Sequence, residues 1–189
     1  MYLTKFNLTI SKFNPRGAVR FAKEYFKNNL IKAIEVGTFK GDNANAILMN
    51  LNVKEIVLID PYEDYSQKWA SETTYRGKVL IDALNKMKKR FRRELESGKV
   101  IFIKKNSDNA LNDIKKKYDL IYIDANHDYE YVLRDLENYW KVLNVNGLLC
   151  GDDIDQPFVF QALIDFVNKH KLNDGNLRVW GRDFIIIKK

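Results

Sequence analysis

Residues 34–42 of this 189-residue chain read IEVGTFKGD: an apolar run, an acid, and two glycines four apart. Glycines at such a place let the backbone turn sharply and let a ligand approach where a Cβ would otherwise stand. A helix that follows would present free N–H groups. A dinucleotide pyrophosphate calls for G-x-G-x-x-G here, and a P-loop continues into G-K-[ST]; the chain has neither. Glu35, two residues before Gly37, would repel a phosphate and suits a ligand that carries positive charge. Asp60 closes the next apolar run, EIVLID, where an acid can accept hydrogen bonds from a ribose diol. Together these residues point to a nucleoside bearing a cation. The plainer alternatives are a tight strand-to-helix turn with no ligand and a solvated acid at Asp60. A third candidate is His127, in the segment IDANHD: it can exchange a proton near neutral pH, or it fixes its loop through a hydrogen bond. The other histidine, His170, falls late in a lysine-rich helix and suits a surface role.

Those residues need elements to hold them. Helical spacing runs over 16–30, 41–51, 76–97, 128–143 and 158–170, with a shorter helix from 107 that Ser107 would cap. Apolar runs at 33–37, 55–60, 99–104, 118–124 and 148–153 read as strands, with a turn at Asn146-Gly147. LRVWGRDFIIIKK reads as a hairpin turning at Gly181-Arg182. Strands alternating with helices predict an α/β fold, a Rossmann-like, doubly wound, mostly parallel seven-stranded sheet with a C-terminal antiparallel hairpin. In such a sheet the ligand lies beyond the carboxyl ends of the strands. Every strand end here carries polar or acidic residues: Glu35, Asp60, Ser107 and Asp108, Asp124, Asp152 and Asp153.

Composition sets the outer limits. With 46% hydrophobic and 30% charged residues the chain is an ordinary globular one, and no linker divides it, so residues 1–189 are expected to form a single domain. One cysteine, Cys150, excludes an internal disulfide framework and the Cys-rich zinc patterns. No apolar run has the length of a membrane span, and the N-terminus lacks a signal-peptide core, so a cytoplasmic setting without membrane insertion is expected. The net charge of +7 permits an acidic partner without requiring one.

E-x-G-x-x-x-G at the first strand and an acid ending the second resemble the class I S-adenosylmethionine-dependent methyltransferases. IDPY, the stretch IDANHDYEYVLRDLENYWKVLNVNGLLCGDD and the terminal hairpin extend the likeness over about residues 30–189. They are similar to a branch that holds macrocin O-methyltransferase and cephalosporin-hydroxylase-type small-molecule enzymes. The resemblance implies methyl transfer from S-adenosylmethionine to an oxygen of a small polar acceptor. It implies that Glu35, Gly37, Thr38, Phe39 and Gly41 line the methionine side of the cofactor, that Asp60 holds the ribose with Tyr62 nearby, and that Ser107 and Asp108 reach the adenine. It implies as well that Asp124 stands at the cofactor and at the reaction. Metal-dependent members of this branch draw ligands from the positions of Asp124, Asp152 and Asp153, and oxygen ligands of this kind suit Mg²⁺. The alternative for Asp152-Asp153 is a pair of acids that cap a helix or face water. Where several relatives carry an acid that can serve as base, this chain has Asn126, which takes no proton at neutral pH; the adjacent His127 becomes the catalytic candidate.

Two segments remain. KMKKRFRR, residues 86–93, is six-eighths basic with Met87 and Phe91 inward, so it is a solvated helix face or a patch for a phosphate-rich partner. The second reading would make the chain an RNA-directed or non-catalytic cofactor-binding domain. The N-terminal residues 1–30, expected to include a helical lid, and the Tyr-rich loop 61–78 are the candidates for covering the acceptor.

Overall fold

The computed structural model describes residues 15–65 and 76–189. Strands β1 (Ile31–Val36), β2 (Val53–Ile59), β3 (Val100–Ile103), β4 (Tyr118–Ile123), β5 (Leu143–Gly151), β6 (Leu177–Trp180) and β7 (Asp183–Ile187) form one sheet in the order β3-β2-β1-β4-β5-β7-β6. The first five are parallel, and β7 runs antiparallel to both β5 and β6. The expected α/β sheet of seven strands is therefore present. Its hairpin joins β5 through the second strand, β7, and leaves β6 at the edge.

Helices α1 (Gly17–Phe26), α2 (Asp42–Asn50), α3 (Lys78–Arg90), α4 (Arg92–Glu96), α5 (Ser107–Ala110), α6 (Tyr129–Lys141) and α7 (Pro157–Lys169) connect the strands. Successive strand residues point to opposite faces, and both faces are apolar. Ala33, Ile56, Leu58 and Leu120 pack with α1, α2 and α3, whereas Ile34, Val57 and Ile121 pack with α6 and α7. Strand order reverses at β1, whose neighbours β2 and β4 lead outward in opposite directions. A crevice opens beyond the strand ends at such a point.

Four local expectations are corrected. The helix expected over 76–97 breaks at Phe91, whose buried ring packs behind Gly41. The helix from 107 is one α-turn followed by a 3₁₀ turn over Leu111–Asp113. Its cap is Asn106, whose Oδ1 accepts from Asn109 N–H at 3.2 Å, rather than Ser107. Asn146-Gly147 is no turn between elements: β5 runs through it with a register shift, Asn146 taking φ +62°. Finally, α1 buries Ala18, Val19, Ala22 and Phe26 on the sheet, so it is a layer of the fold and not a lid. The rest of the expected N-terminal lid, 1–14, and residues 66–75 of the Tyr-rich loop lie outside the described residues. Among the described residues no helix is long and apolar enough to cross a membrane.

Candidate active site

The site begins where β1 and β4 end side by side. Asp124 N–H donates to Val36 O at 2.8 Å, and Gly37 N–H donates to Ile59 O at 2.8 Å. A Cβ on Gly37 would stand 1.8 Å from the carbonyl oxygen of Asp124, and its φ is +86°. Glycine is thus required twice over, by closeness and by backbone conformation. Gly41 has φ +74°, opens α2, and would drive a Cβ into the Phe91 ring at 2.4 Å. It lines neither cavity described below and shapes the turn from behind.

Asp60 ties the first two strand ends together. Its Oδ2 accepts from Phe39 N–H and its Oδ1 from Tyr62 N–H, each at 2.8 Å, while Tyr62 OH donates to Phe39 O at 2.5 Å. Phe39 and Tyr62 both take left-handed conformations, φ +47° and +49°. Such backbone costs roughly 1–2 kcal/mol per residue, and charge-assisted bonds to one carboxylate offset it. Burial pushes the Asp60 carboxyl up, and the N–H groups of Phe39, Tyr62 and Thr38 pull it back. Tyr62 itself is buried and lines neither cavity; it supports Phe39.

Two cavities meet at Gly37, Phe39 and Asp124. One, of about 440 Å³, is lined by Asp60, Ser107, Asp108, Asn126 and Asp135 among others. The second, of about 450 Å³, is lined by Glu35, Thr38, Asn43, His127, Asp152 and Asp153, with Arg16 at its side. Both have the size of small-ligand pockets. In the second, Glu35 is only 1% exposed. Burial raises its carboxyl to about 8, although Asn43 beside it counters the rise. Glu35 Oε2, Thr38 Oγ1 and both amide atoms of Asn43 are buried short of a complete hydrogen bond. Buried polar atoms so placed can accept the donors of a ligand that carries positive charge. The first cavity holds an acid that sequence reading passed over, Asp135, which burial raises to about 7 despite the Ser107 hydroxyl. Its one signal was an acid on the inward stripe of α6, between Val132 and Tyr139. Asp108 pairs with Arg134 Nε at 3.0 Å and with Asn138 Nδ2 at 3.1 Å.

Asp124 and Asp152 converge as metal ligands would, but on a different cation. Arg16 Nη1 lies 2.8 Å from Asp124 Oδ2 and 2.5 Å from Asp152 Oδ2. Asp153 turns aside at φ +58° and pairs with Arg182. Among the described residues no group of three or more His, Cys, Asp or Glu side chains is placed to hold a metal ion. The Mg²⁺ expected at Asp124, Asp152 and Asp153 therefore does not fit this donor set: two of its carboxylates are bridged by a guanidinium and the third faces another. Burial would raise Asp124, but His127 and Arg16 hold it below the ordinary range; burial raises Asp152 to about 6, Arg16 countering.

His127 Nε2 lies 3.2 Å from Asp153 Oδ2 and 3.7 Å from Asp124 Oδ1. Asn126 fixes the loop that carries it, Oδ1 accepting from Asp128 N–H at 2.8 Å. His170 is elsewhere, 3.1 Å from Glu137 and against Phe166. The basic segment turns Met87 and Phe91 inward, as expected, with its charged residues outward; Arg90 pairs with Asp42 at 2.5 Å.

Residues 34–154 match the family described as Methyltransferase domain. An uncharacterized protein of Acanthamoeba polyphaga mimivirus is 26% identical over 149 residues, which cover 76% of this chain and 61% of that protein. The chain thus spans about three-fifths of the length of that relative. Among solved structures, an rRNA methylase from Streptococcus thermophilus superposes with a TM-score of 0.59 at 12% identity, covering 90% of this chain and 95% of the other. An O-methyltransferase from Bacillus cereus in complex with SAH gives 0.57 at 13% identity, covering 84% and 74%. At these identities the likeness is one of fold.

Proposed function

The chain belongs to the Methyltransferase domain family, and we propose that it transfers the methyl group of S-adenosylmethionine to an oxygen of a small polar acceptor. S-adenosylmethionine supplies an electrophilic methyl on a sulfonium, which needs only an aligned nucleophile at about 3–3.5 Å. The cavity lined by Asp60, Ser107 and Asp108 would take the nucleoside, Asp60 accepting from the ribose and Asp108 facing the adenine. Gly37 lets the backbone approach. Glu35, Thr38 and Phe39 would face the methionine portion, where an acid suits its ammonium group.

The observation that carries the oxygen acceptor is His127, set between Asp124 and Asp153 in the cavity beyond Gly37. Burial would lower its pKa, but Asp124 and Asp153 hold it above the ordinary value. That makes it a stronger base, active in its neutral form. His127→Gln should lower kcat by about 100-fold or more while the affinity for S-adenosylhomocysteine stays within about twofold. The wild-type rate should climb with pH through a limb above ~6.5 that the variant lacks. Equal turnover in the two proteins removes the base role. A metal-assisted route has less support, since Arg16 stands between the carboxylates it would use.

Glu35 gives a second expectation. With its carboxyl at about 8, the ligand-free protein holds it largely protonated at pH 7. The sign follows: the folded form keeps a proton the unfolded chain has lost, so stability falls as pH rises from the ordinary carboxyl range to about 8. An ammonium group placed beside it would expel that proton. Calorimetry in buffers of different ionisation enthalpy should show proton release on cofactor binding in the wild type and none in Glu35→Gln. A buffer-independent enthalpy in the wild type contradicts this placement.

One observation favours a second reading. Lys86 and Lys89 of α3 line a groove with Lys40, and Lys40 also lines the cavity of Glu35. A phosphate-rich acceptor such as RNA would use that continuity, and binding that weakens steeply with salt would identify it. Cys150, a buried free thiol, keeps a reducing, cytoplasmic setting within the proposal.

A further inference from the structure

Arg16 belongs to no motif, yet it is the most heavily engaged cation of the site. Its Nη1 contacts Asp124 and Asp152 and donates to Tyr122 OH at 3.0 Å. The guanidinium also lies over the Tyr122 ring, 5.4 Å from its centre. Tyr122 OH donates in turn to Asp183 Oδ1 at 3.0 Å, and Asp183 Oδ2 accepts from Ala18 N–H at 2.7 Å. The chain of bonds closes on itself: the helix that follows Arg16 is capped by the same carboxylate that orients the tyrosine beneath it. Arg16 is therefore held by α1, β4, β5 and β7 together, and is not a surface side chain that happens to rest on two acids.

We propose that Arg16 is the resident cation of this active site, filling the place between Asp124 and Asp152 that a divalent ion would need and presenting its remaining N–H groups to an oxygen of the acceptor. The ion pairs support it. Arg16 bridges Asp124 and Asp152 and Arg182 meets Asp153, so each of the three carboxylates already faces a guanidinium. A divalent ion would find those carboxylates already engaged and would press against a guanidinium held in place from behind. Among the described residues the side-chain hydrogen bond and ion pairs of Arg16 run through Nη1, while the side chain stays 36% exposed and lines the cavity that holds His127. Its Nη2 and Nε can then fix a hydroxyl or carboxylate oxygen, so that an acceptor is oriented without a metal. The acceptor part of this inference rests on the methyl-transfer reading; the exclusion of a divalent ion does not.

The test is cation binding by the full chain, followed through the paramagnetic resonance of free Mn²⁺ with S-adenosylhomocysteine present. The wild type should leave Mn²⁺ free up to about 1 mM. Arg16→Ala should bind one equivalent at least tenfold more tightly than the wild type, on the order of 0.1 mM, and Asp152→Asn added to it should abolish that binding. Arg16→Lys, which keeps the charge, should leave Mn²⁺ free. One equivalent bound by the wild type and lost in Asp152→Asn overturns the proposal, and needs no Arg16 variant to be seen. A folded Arg16→Ala that binds no Mn²⁺ overturns it as well. Neither result depends on whether methyl transfer occurs, so failure here is distinct from failure of the functional reading.

Discussion

Replacing Gly37 by alanine should abolish measurable cofactor binding and lower the melting temperature by roughly 10 °C. The added Cβ would lie 1.8 Å from the carbonyl oxygen and 2.5 Å from the carbonyl carbon of Asp124. Those are backbone atoms, so no rotamer change relieves the clash. The ends of β1 and β4 must separate, breaking the bond from Asp124 N–H to Val36 O. The residue also holds φ +86°, which any Cβ disfavours. Strain and clash together should cost about 3–5 kcal/mol, a large part of a domain's net stability. Gly98→Ala is the control. It has φ +75° but open space around it, so it should lose only about 1 kcal/mol and keep cofactor affinity. If Gly37→Ala binds S-adenosylhomocysteine as the wild type does, the junction of β1 and β4 is not where the cofactor lies.

The contrast between Gly37 and Arg16 shows what the sequence can carry. Glu35, Gly37 and Asp60 were legible because each sits at the end of an apolar run, and a strand end fixes the direction in which the next residues leave the sheet. The same logic found the strands, whose buried faces alternate on both sides. It failed where geometry depends on residues far apart in the chain. Arg16 meets Tyr122 across 106 positions, and no spacing rule connects them. Asp152 and Asp153 are adjacent and chemically alike, yet the left-handed backbone at Asp153 sends one to Arg16 and the other to Arg182. Asn146-Gly147 has the composition of a turn, but sheet pairing holds it within β5. The Phe39 and Tyr62 conformations carried no sign at all, since neither residue prefers positive φ.

Asp60→Ala should weaken S-adenosylhomocysteine binding by about 1,000-fold or more, roughly 4 kcal/mol. Two losses combine. The carboxylate accepts from Phe39 and Tyr62 N–H, bonds to a charged group worth about 1.5–3 kcal/mol each. Without it, both residues lose the carboxylate that offsets their left-handed backbone, and the Phe39 wall shared by the two cavities relaxes. On the proposed placement of the nucleoside, the ribose hydroxyls would lose their acceptor as well. Asp60→Asn separates the two parts. Its single carbonyl oxygen can serve one N–H, while its amide nitrogen faces the other as a second donor, so affinity should fall to an intermediate level. Tyr62→Phe removes only the bond from Tyr62 OH to Phe39 O, and should cost about tenfold without touching the ribose. The order expected from calorimetry is therefore Ala worst, Asn next, Tyr62→Phe least. Full affinity in Asp60→Ala alongside a lowered melting temperature would leave Asp60 as a staple between two strand ends and move the ribose elsewhere.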